Sequence, residues 1–272
     1  MRVAAAIVFF LIGLAGAVAP AAAQTGETVD HTALRVCADA NNLPFSNDKG
    51  EGFENKIADL LAGDLGVPVH YTWFPDTIGF IRNTLGARKC DLIIGTAAGN
   101  ELVQNSNPYY RSTYAFVYRA DAHAVTSIDD PALQSASIGI IAGTPPVTLL
   151  MQKGLLGHLH SYQLLVDTRF NSPGRDLAHD VATGAIDVGI LWGPIAGYYA
   201  KRETPSLVVT PLVAQQGPMP LDFRITMGMR PNEPNWKKTI NDLIRKKQKE
   251  IDHILLSYGV PLLDDKGQPI TH

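Results

Sequence analysis

Apolar positions along the chain switch between short continuous runs and runs spaced by three and four. Leu34–Ala38 reads as a short strand closing at Asp39, and the turn-rich stretch Asn41-Asn42-Leu43-Pro44-Phe45-Ser46-Asn47 follows it. From Phe53 to Gly66 the residues Ile57, Leu60, Leu61 and Leu65 recur at helical spacing, and Gly66 stops the helix. Val69–Trp73 predicts a second strand. Ile78, Ile81 and Leu85 predict a second helix ending near Gly86. Cys90–Gly95 predicts a third strand, apolar enough to be buried on both faces. This β-α-β-α-β order argues for a parallel sheet covered by helices.

The pattern then restarts. Ser137–Ala142 reads as a strand, Gly143-Thr144-Pro145-Pro146 as a loop, and a helix begins near Val147. Ser161–Val166 predicts a strand, Gly174–Thr183 a helix, and Ala185–Leu191 a strand ending at Trp192-Gly193-Pro194. Two further strands, Ala115–Arg119 and Phe223–Arg230, bracket this second unit. The last helix spans Asn235–Tyr258, with Trp236, Ile240, Leu243, Ile244, Ile251, Ile254, Leu255 and Tyr258 forming an apolar stripe. The simplest organisation is α/β and two-lobed, with lobe two (120–222) inserted into a discontinuous lobe one (24–119 and 223–272). Two extended crossings make a hinge, and a hinge permits closure around a ligand.

The chain's start changes the picture. Met1-Arg2 supplies a positive charge, residues 3–19 are apolar, and Pro20-Ala21-Ala22-Ala23 offers small residues before Gln24. Residues 1–23 are therefore expected to be a secretory signal peptide; the bland alternative is an uncleaved anchor. Export admits a disulfide between the two cysteines, Cys37 and Cys90. Both lie at predicted strands, and the sequence leaves open whether they bond or pack as small hydrophobes. With 46% apolar and 18% charged residues the composition is that of an ordinary globular protein. A net charge of −3 argues against nucleic-acid binding and against general affinity for anionic membranes.

Several stretches match a known pattern in order and spacing. They are Leu34-Arg35-Val36, Leu43-Pro44-Phe45-Ser46, Gly52-Phe53-Glu54, Cys90 to Gly95, Ser106-Asn107-Pro108-Tyr109 and Ile138 to Thr144. Together they resemble the periplasmic solute-binding proteins that include the polar amino-acid receptors. The resemblance covers nearly all of the chain after residue 23 and implies a type II periplasmic binding protein fold, with the ligand between the lobes at the strands' carboxyl ends. Amino-acid receptors of that family use an Arg after the third strand for the ligand carboxylate, backbone amides after Gly-Thr in lobe two, and an Asp for the ammonium group. Residues 90–110 contain no Arg or Lys, Pro145 and Pro146 lack the amides, and Trp192 stands at the Asp position. Leu43 takes the place of the stacking aromatic in the first loop. An α-amino acid would leave its charges unpaired in such a cleft, so the fold does not translate into amino-acid transport.

A narrower likeness rests on Cys37-Ala38-Asp39, Asn41 to Asn47, Gly50 to Ile57, Cys90-Asp91 and Trp192-Gly193-Pro194. These resemble the MoxJ/XoxJ-type branch, binding-protein-like accessory factors associated with quinoprotein methanol dehydrogenases. The resemblance implies a periplasmic monomer that works on a pyrroloquinoline-quinone (PQQ) methanol dehydrogenase, with the dehydrogenase's cytochrome as a further partner. It implies no cofactor of the chain's own, and no enzymatic activity. A solute receptor for an ABC importer, with a ligand other than an amino acid, is the alternative.

Strand-end positions give the expected cleft: Asn42, Leu43, Pro44, Phe45, Trp73, Phe74, Thr96 and Ala97 from lobe one, and Thr144, Pro145, Pro146, Trp192 and Pro194 from lobe two. This rim is apolar and aromatic with few charges. It suits a small apolar molecule, a cofactor face or a peptide segment of a partner; the bland alternative is that Phe45, Phe74 and Trp192 fill lobe cores. His158 and His160 lack nearby Cys or acidic residues to complete a metal set and read as surface histidines. Asp264-Asp265-Lys266-Gly267 begins like a calcium loop but lacks the later acidic ligands, so it reads as a turn. Arg245–Lys249 could dock an acidic partner, and its bland reading is the wet face of the last helix. The motifs of serine hydrolases, P-loop enzymes, zincins and dinucleotide binders are missing from the sequence.

Overall fold

The computed structural model describes residues 27–213 and 219–270. The expected signal peptide, residues 1–23, lies outside the described residues.

The first half builds one parallel trio. Strand β1 (Leu34–Ala38) leads through two short paired segments, β2 (Asn41–Asn42) and β3 (Ser46–Asn47), into helix α1 (Phe53–Leu65). Strand β4 (Val69–Trp73) follows, then a one-turn helix α2 (Phe80–Asn83), then β5 (Leu92–Ala97). β1 lies parallel to both β4 and β5, with Leu34 opposite Val69 and Val36 opposite Leu92. α1 forms where expected because Ile57, Ala58, Leu61 and Ala62 share its buried face. α2 is shorter than the spacing of Ile78, Ile81 and Leu85 predicts. Phe80 and Leu85 are buried, whereas Ile78 is 85% exposed. Gly79, at φ 93°, breaks the helical path just after Ile78 and points that side chain out.

The second half repeats the theme. Short strand β6 (Gln104–Asn105) precedes the long β7 (Tyr110–Tyr118). Then come β8 (Ile138–Ile141), α3 (Pro145–Gln152), β9 (Leu159–Tyr162), α4 (Pro173–Thr183), β10 (Val188–Trp192) and α5 (Gly193–Ala200). β9 ends at Tyr162 instead of running over Ser161–Val166. Its register is set by parallel pairing with β8, Ile138 opposite Leu159 through Ile141 opposite Tyr162, and beyond that point β8 has no partner to offer. α3 starts at Pro145, earlier than expected, since proline is well placed in a first helical turn. Strand β11 (Val208–Pro211) carried no clear periodic signal and forms by pairing with β7. β12 (Asp222–Met229) and helix α6 (Pro234–Ser257) complete the chain.

The strands run β4-β1-β5-β12-β7-β10-β8-β9 in space, with β11 added on β7 and β6 on β12. Two parallel trios thus flank a central antiparallel pair, β12 and β7. β7 serves both sides: Tyr110 to Thr113 pair with β12, and Tyr114 to Tyr118 pair with β10. Each trio is covered on both faces. In the first, α1 and α6 bury Phe53, Ile57, Trp236, Ile240 and Leu255 against Leu34, Val36 and Met227, while Phe80 and Leu85 close the other face. In the second, α3 covers one face and α4 with α5 the other. α4 sits tightly because β8 and β10 offer glycines beneath it. A Cβ on Gly189 would come within 2.3 Å of the Leu177 side chain, and one on Gly139 within 2.4 Å of Ile186.

Cys37 and Cys90 form a disulfide, their Cα atoms 5.5 Å apart, which ties β1 to the residue just before β5. The C-terminal turn uses the Asp264 carboxylate internally, since Oδ1 accepts the amides of Lys266 and Gln268. Among the described residues no helix is long and apolar enough to cross a membrane.

Candidate functional site

Both parallel trios point their carboxyl ends into one cleft. β1 ends at Ala38, β5 at Ala97, β8 at Ile141 and β10 at Trp192, and the loops leaving these strands form its walls. The larger half, about 720 Å³, lies on the lobe-one side. The smaller half, about 330 Å³, lies on the lobe-two side. Asn42, Asp76 and Trp192 line both halves, so the two are one continuous space.

The structure sorts the expected rim residues. Asn42, Phe45, Thr96, Ala97 and Trp192 line the larger half; Asn42, Leu43, Thr144 and Trp192 line the smaller. The others sit behind. Pro44 is buried at the cis Leu43–Pro44 peptide. Trp73 stacks on Tyr71 with ring centroids 4.5 Å apart, and Phe74 packs toward Phe80. Pro145, Pro146 and Pro194 are taken up in the first turns of α3 and α5. Strand-end position alone does not separate a wall residue from one turned back into its lobe.

Trp192 is the central wall. Its ring lies edge-on to Tyr114 at 5.5 Å and to Phe223 at 5.8 Å, and it packs against the cores of both lobes. The rim carries large apolar side chains beyond the strand-end positions. Ile78 and Leu102 project from lobe one, 85% and 70% exposed. Leu164 and Leu165 project from lobe two, 52% and 60% exposed, on the segment expected to be a strand.

The cleft is more acidic than the sequence suggests. Asp39, Glu54 and Asp76 all line the larger half. Asp39 sits at the end of β1, where Oδ1 accepts the Asn41 amide at 2.9 Å and Oδ2 the Asp76 amide at 2.8 Å. Glu54 enters from the first turn of α1, and burial, with the Asp76 charge added, pushes its carboxyl up to about 8. Asp76 faces open cleft space but is walled around; that desolvation and then the Asp39 charge push its carboxyl up as well. A carboxylate such as Glu54 in a helix's first turn is ordinary there. No local signal distinguishes the one that turns into a cavity.

Hydrogen bonds cross the cleft on one side. Thr168 Oγ1 donates to Asp39 Oδ2 at 2.9 Å, Asn41 Nδ2 donates to the Thr168 carbonyl, and Tyr199 Oη donates to the Leu43 carbonyl at 3.0 Å. These join the loop after β1 to the loop before α4 and to α5.

Two α/β lobes that share a central pair of strands, and face each other across a cleft at the ends of their parallel strands, define a type II periplasmic binding protein. The chain belongs to the bacterial extracellular solute-binding proteins, family 3, whose profile covers residues 34–260, and within it to the MoxJ/XoxJ-type branch. It is similar to the protein MoxJ of Methylorubrum extorquens, 32% identical over 290 residues and 96% of either chain. The MoxJ of Paracoccus denitrificans is 30% identical over 267 residues, covering 92% of this chain and 95% of that protein. The solved structure of the periplasmic binding protein XoxJ from Methylobacterium extorquens AM1 superposes with a TM-score of 0.74 at 44% identity, over 85% of this chain and all of that one.

Proposed function

We propose that this protein is a periplasmic accessory factor of a PQQ-dependent methanol dehydrogenase and that its interlobe cleft takes a segment of that partner or an apolar ligand. The observation that carries the reading is the rim: Ile78, Leu102, Leu164 and Leu165 stand exposed around the mouth of one cleft. Large exposed apolar side chains converging from two lobes suit a protein partner better than a polar nutrient. The similarity to MoxJ and XoxJ supports the same direction. The devices of an amino-acid receptor stay missing: residues 90–110 bear no basic side chain, and Pro145 and Pro146 occupy the start of α3.

The lobes on this reading are residues 24–119 with 223–272, and 120–222, and the protein acts without catalysing a reaction. The pairing of Tyr114–Tyr118 with β10 favours moving the first crossing of that division from residue 119 back to Thr113–Tyr114, within β7.

Binding to the purified dehydrogenase, as apoenzyme and loaded with PQQ, tests the proposal. Association with either form, weakened at least tenfold by Leu164→Ser with Leu165→Ser, is the expected result. No association and no effect on activation would sink it. The cleft volume also fits a drug-sized solute, which keeps a transport receptor as the second reading. A solute that raises the melting temperature and closes the lobes, with no dehydrogenase binding, would favour that one.

A further inference from the structure

Among the described residues, three carboxylates share the larger half of the cleft and one basic residue, Arg82, lines it, exposed at the rim. Asp39 is occupied by the Asn41 and Asp76 amides and the Thr168 hydroxyl. Glu54 is different. Its carboxylate has no hydrogen-bond partner in the described residues and contributes no helix cap, because Asn55 makes that contact through its Oδ1. The absence of a side chain at Gly95 gives it room: a Cβ there would lie 2.1 Å from Glu54 Oε1. The carboxylate is thus turned into the cavity over a strand that leaves space for it.

The groups facing it do not compensate it. Asp76 and Asp39 carry the same charge, and the Tyr109, Tyr110 and Tyr71 hydroxyls are neutral; each of the three is held further above its usual range by the proximity of Glu54. An unpaired, desolvated carboxylate beside another acid opposes folding, so it is unlike the paired acids elsewhere in this chain. A positive guest would relieve the repulsion. The donors do not cluster as metal ligands among the described residues. The walls beside them are Phe45, Phe80, Tyr110, Trp192 and Ile93. Aromatic faces around a carboxylate suit a cation carried on an apolar body.

We propose that the lobe-one half of the cleft recognises an organic cation, a guanidinium or ammonium group on an apolar body, with Glu54 as its direct counter-ion and Asp76 as the second acid at the mouth. This rests on the cleft being the working site and not on which protein is the partner. A free amine and an Arg or Lys side chain of a partner segment supply the same chemistry.

The test is calorimetric titration of the purified protein with benzylamine, with benzyl alcohol as the neutral counterpart, and with the capped peptide Leu-Arg-Leu beside capped Leu-Gln-Leu. The cationic member of at least one pair binds at least tenfold tighter than its neutral counterpart. Since only ionised Glu54 pairs with the guest, affinity rises several-fold per pH unit between pH 6 and 8, with a proton released on binding. Glu54→Gln, a near-isosteric change, removes the preference and the proton release while leaving a cooperative melt. Preference for benzylamine alone points to a free amine, and preference for the Arg peptide points to a partner segment. Equal binding of charged and neutral probes, no binding of any probe, or undiminished cation binding by Glu54→Gln overturns the proposal. Loss of cation preference in Glu54→Gln together with unchanged dehydrogenase binding assigns the cation to a free amine, whereas a parent that binds dehydrogenase but shows no cation preference overturns this inference and leaves the accessory role standing.

Discussion

Asp91 holds the most concentrated electrostatics in the molecule. Arg35 grips it with two parallel bonds, Nε to Oδ2 at 2.6 Å and Nη2 to Oδ1 at 2.7 Å, and Arg230 Nη2 adds a third at 2.5 Å. Arg230 also donates to Glu233 and to the Cys90 carbonyl, and Trp236 Nε1 donates to the Asp91 carbonyl. Removing the acid leaves Arg35 without its ion pair and the buried Arg230 with Glu233 as its one remaining acid. Asp91→Asn should therefore cost about 3–5 kcal/mol, read by urea unfolding. Glu54 has the opposite character. Its folded carboxyl ionises near 8, against 4.5 for the ordinary group, so the folded protein keeps a proton that the unfolded chain gives up. Stability then falls as pH rises from about 4.5 to about 8 and the contribution levels off above that. Glu54→Gln removes this slope: its melting temperature should match the parent near pH 4 and exceed it by a margin that grows up to pH 8. Neither role is written in the local sequence. Asp91 follows a cysteine at a strand start and Glu54 starts a helix; Arg230 and Trp236 reach Asp91 from about 140 residues on, and Asp76 and Gly95 come to Glu54 from separate elements.

At the scale of elements, the strongest constraint is the disulfide joining β1 to the start of β5 across 53 residues. A loop of that size is worth about 4 kcal/mol through the unfolded chain. Replacing Cys37 and Cys90 together by Ser should lower stability by up to that amount, and a thiol count on the unfolded, unreduced parent should give no free sulfhydryl. Helices α1, α4 and α6 were legible because a single buried stripe dictates each of them. The failures share a cause. β9 and β11 are bounded by the strand beside them, and α2 by a glycine conformation; these are tertiary and backbone conditions that side-chain periodicity does not carry. The cleft wall was half legible for the same reason. Strand ends locate the loops, but whether Phe45 faces the cavity while Phe74 turns away is decided by the packing of Phe80 beneath it.

For the whole molecule, the contacts that matter most are the hydroxyl bonds across the cleft, Thr168 to Asp39 and Tyr199 to Leu43. Each such bond is worth about 1 kcal/mol net. Thr168→Val with Tyr199→Phe keeps the shapes and removes both donors. The double variant should show a larger radius of gyration in solution scattering, with its unfolding midpoint lowered only slightly. If those bonds set an energy gap of about 2 kcal/mol, a gaping form would be on the order of a few per cent of molecules, a fraction the same scattering comparison of parent and double variant checks. A visitor that enters only a gaping cleft then meets a small fraction of the population at each encounter. Its capture would be slow for a reason unrelated to diffusion, and the two hydroxyls would act as a timer on arrival while leaving departure to the walls.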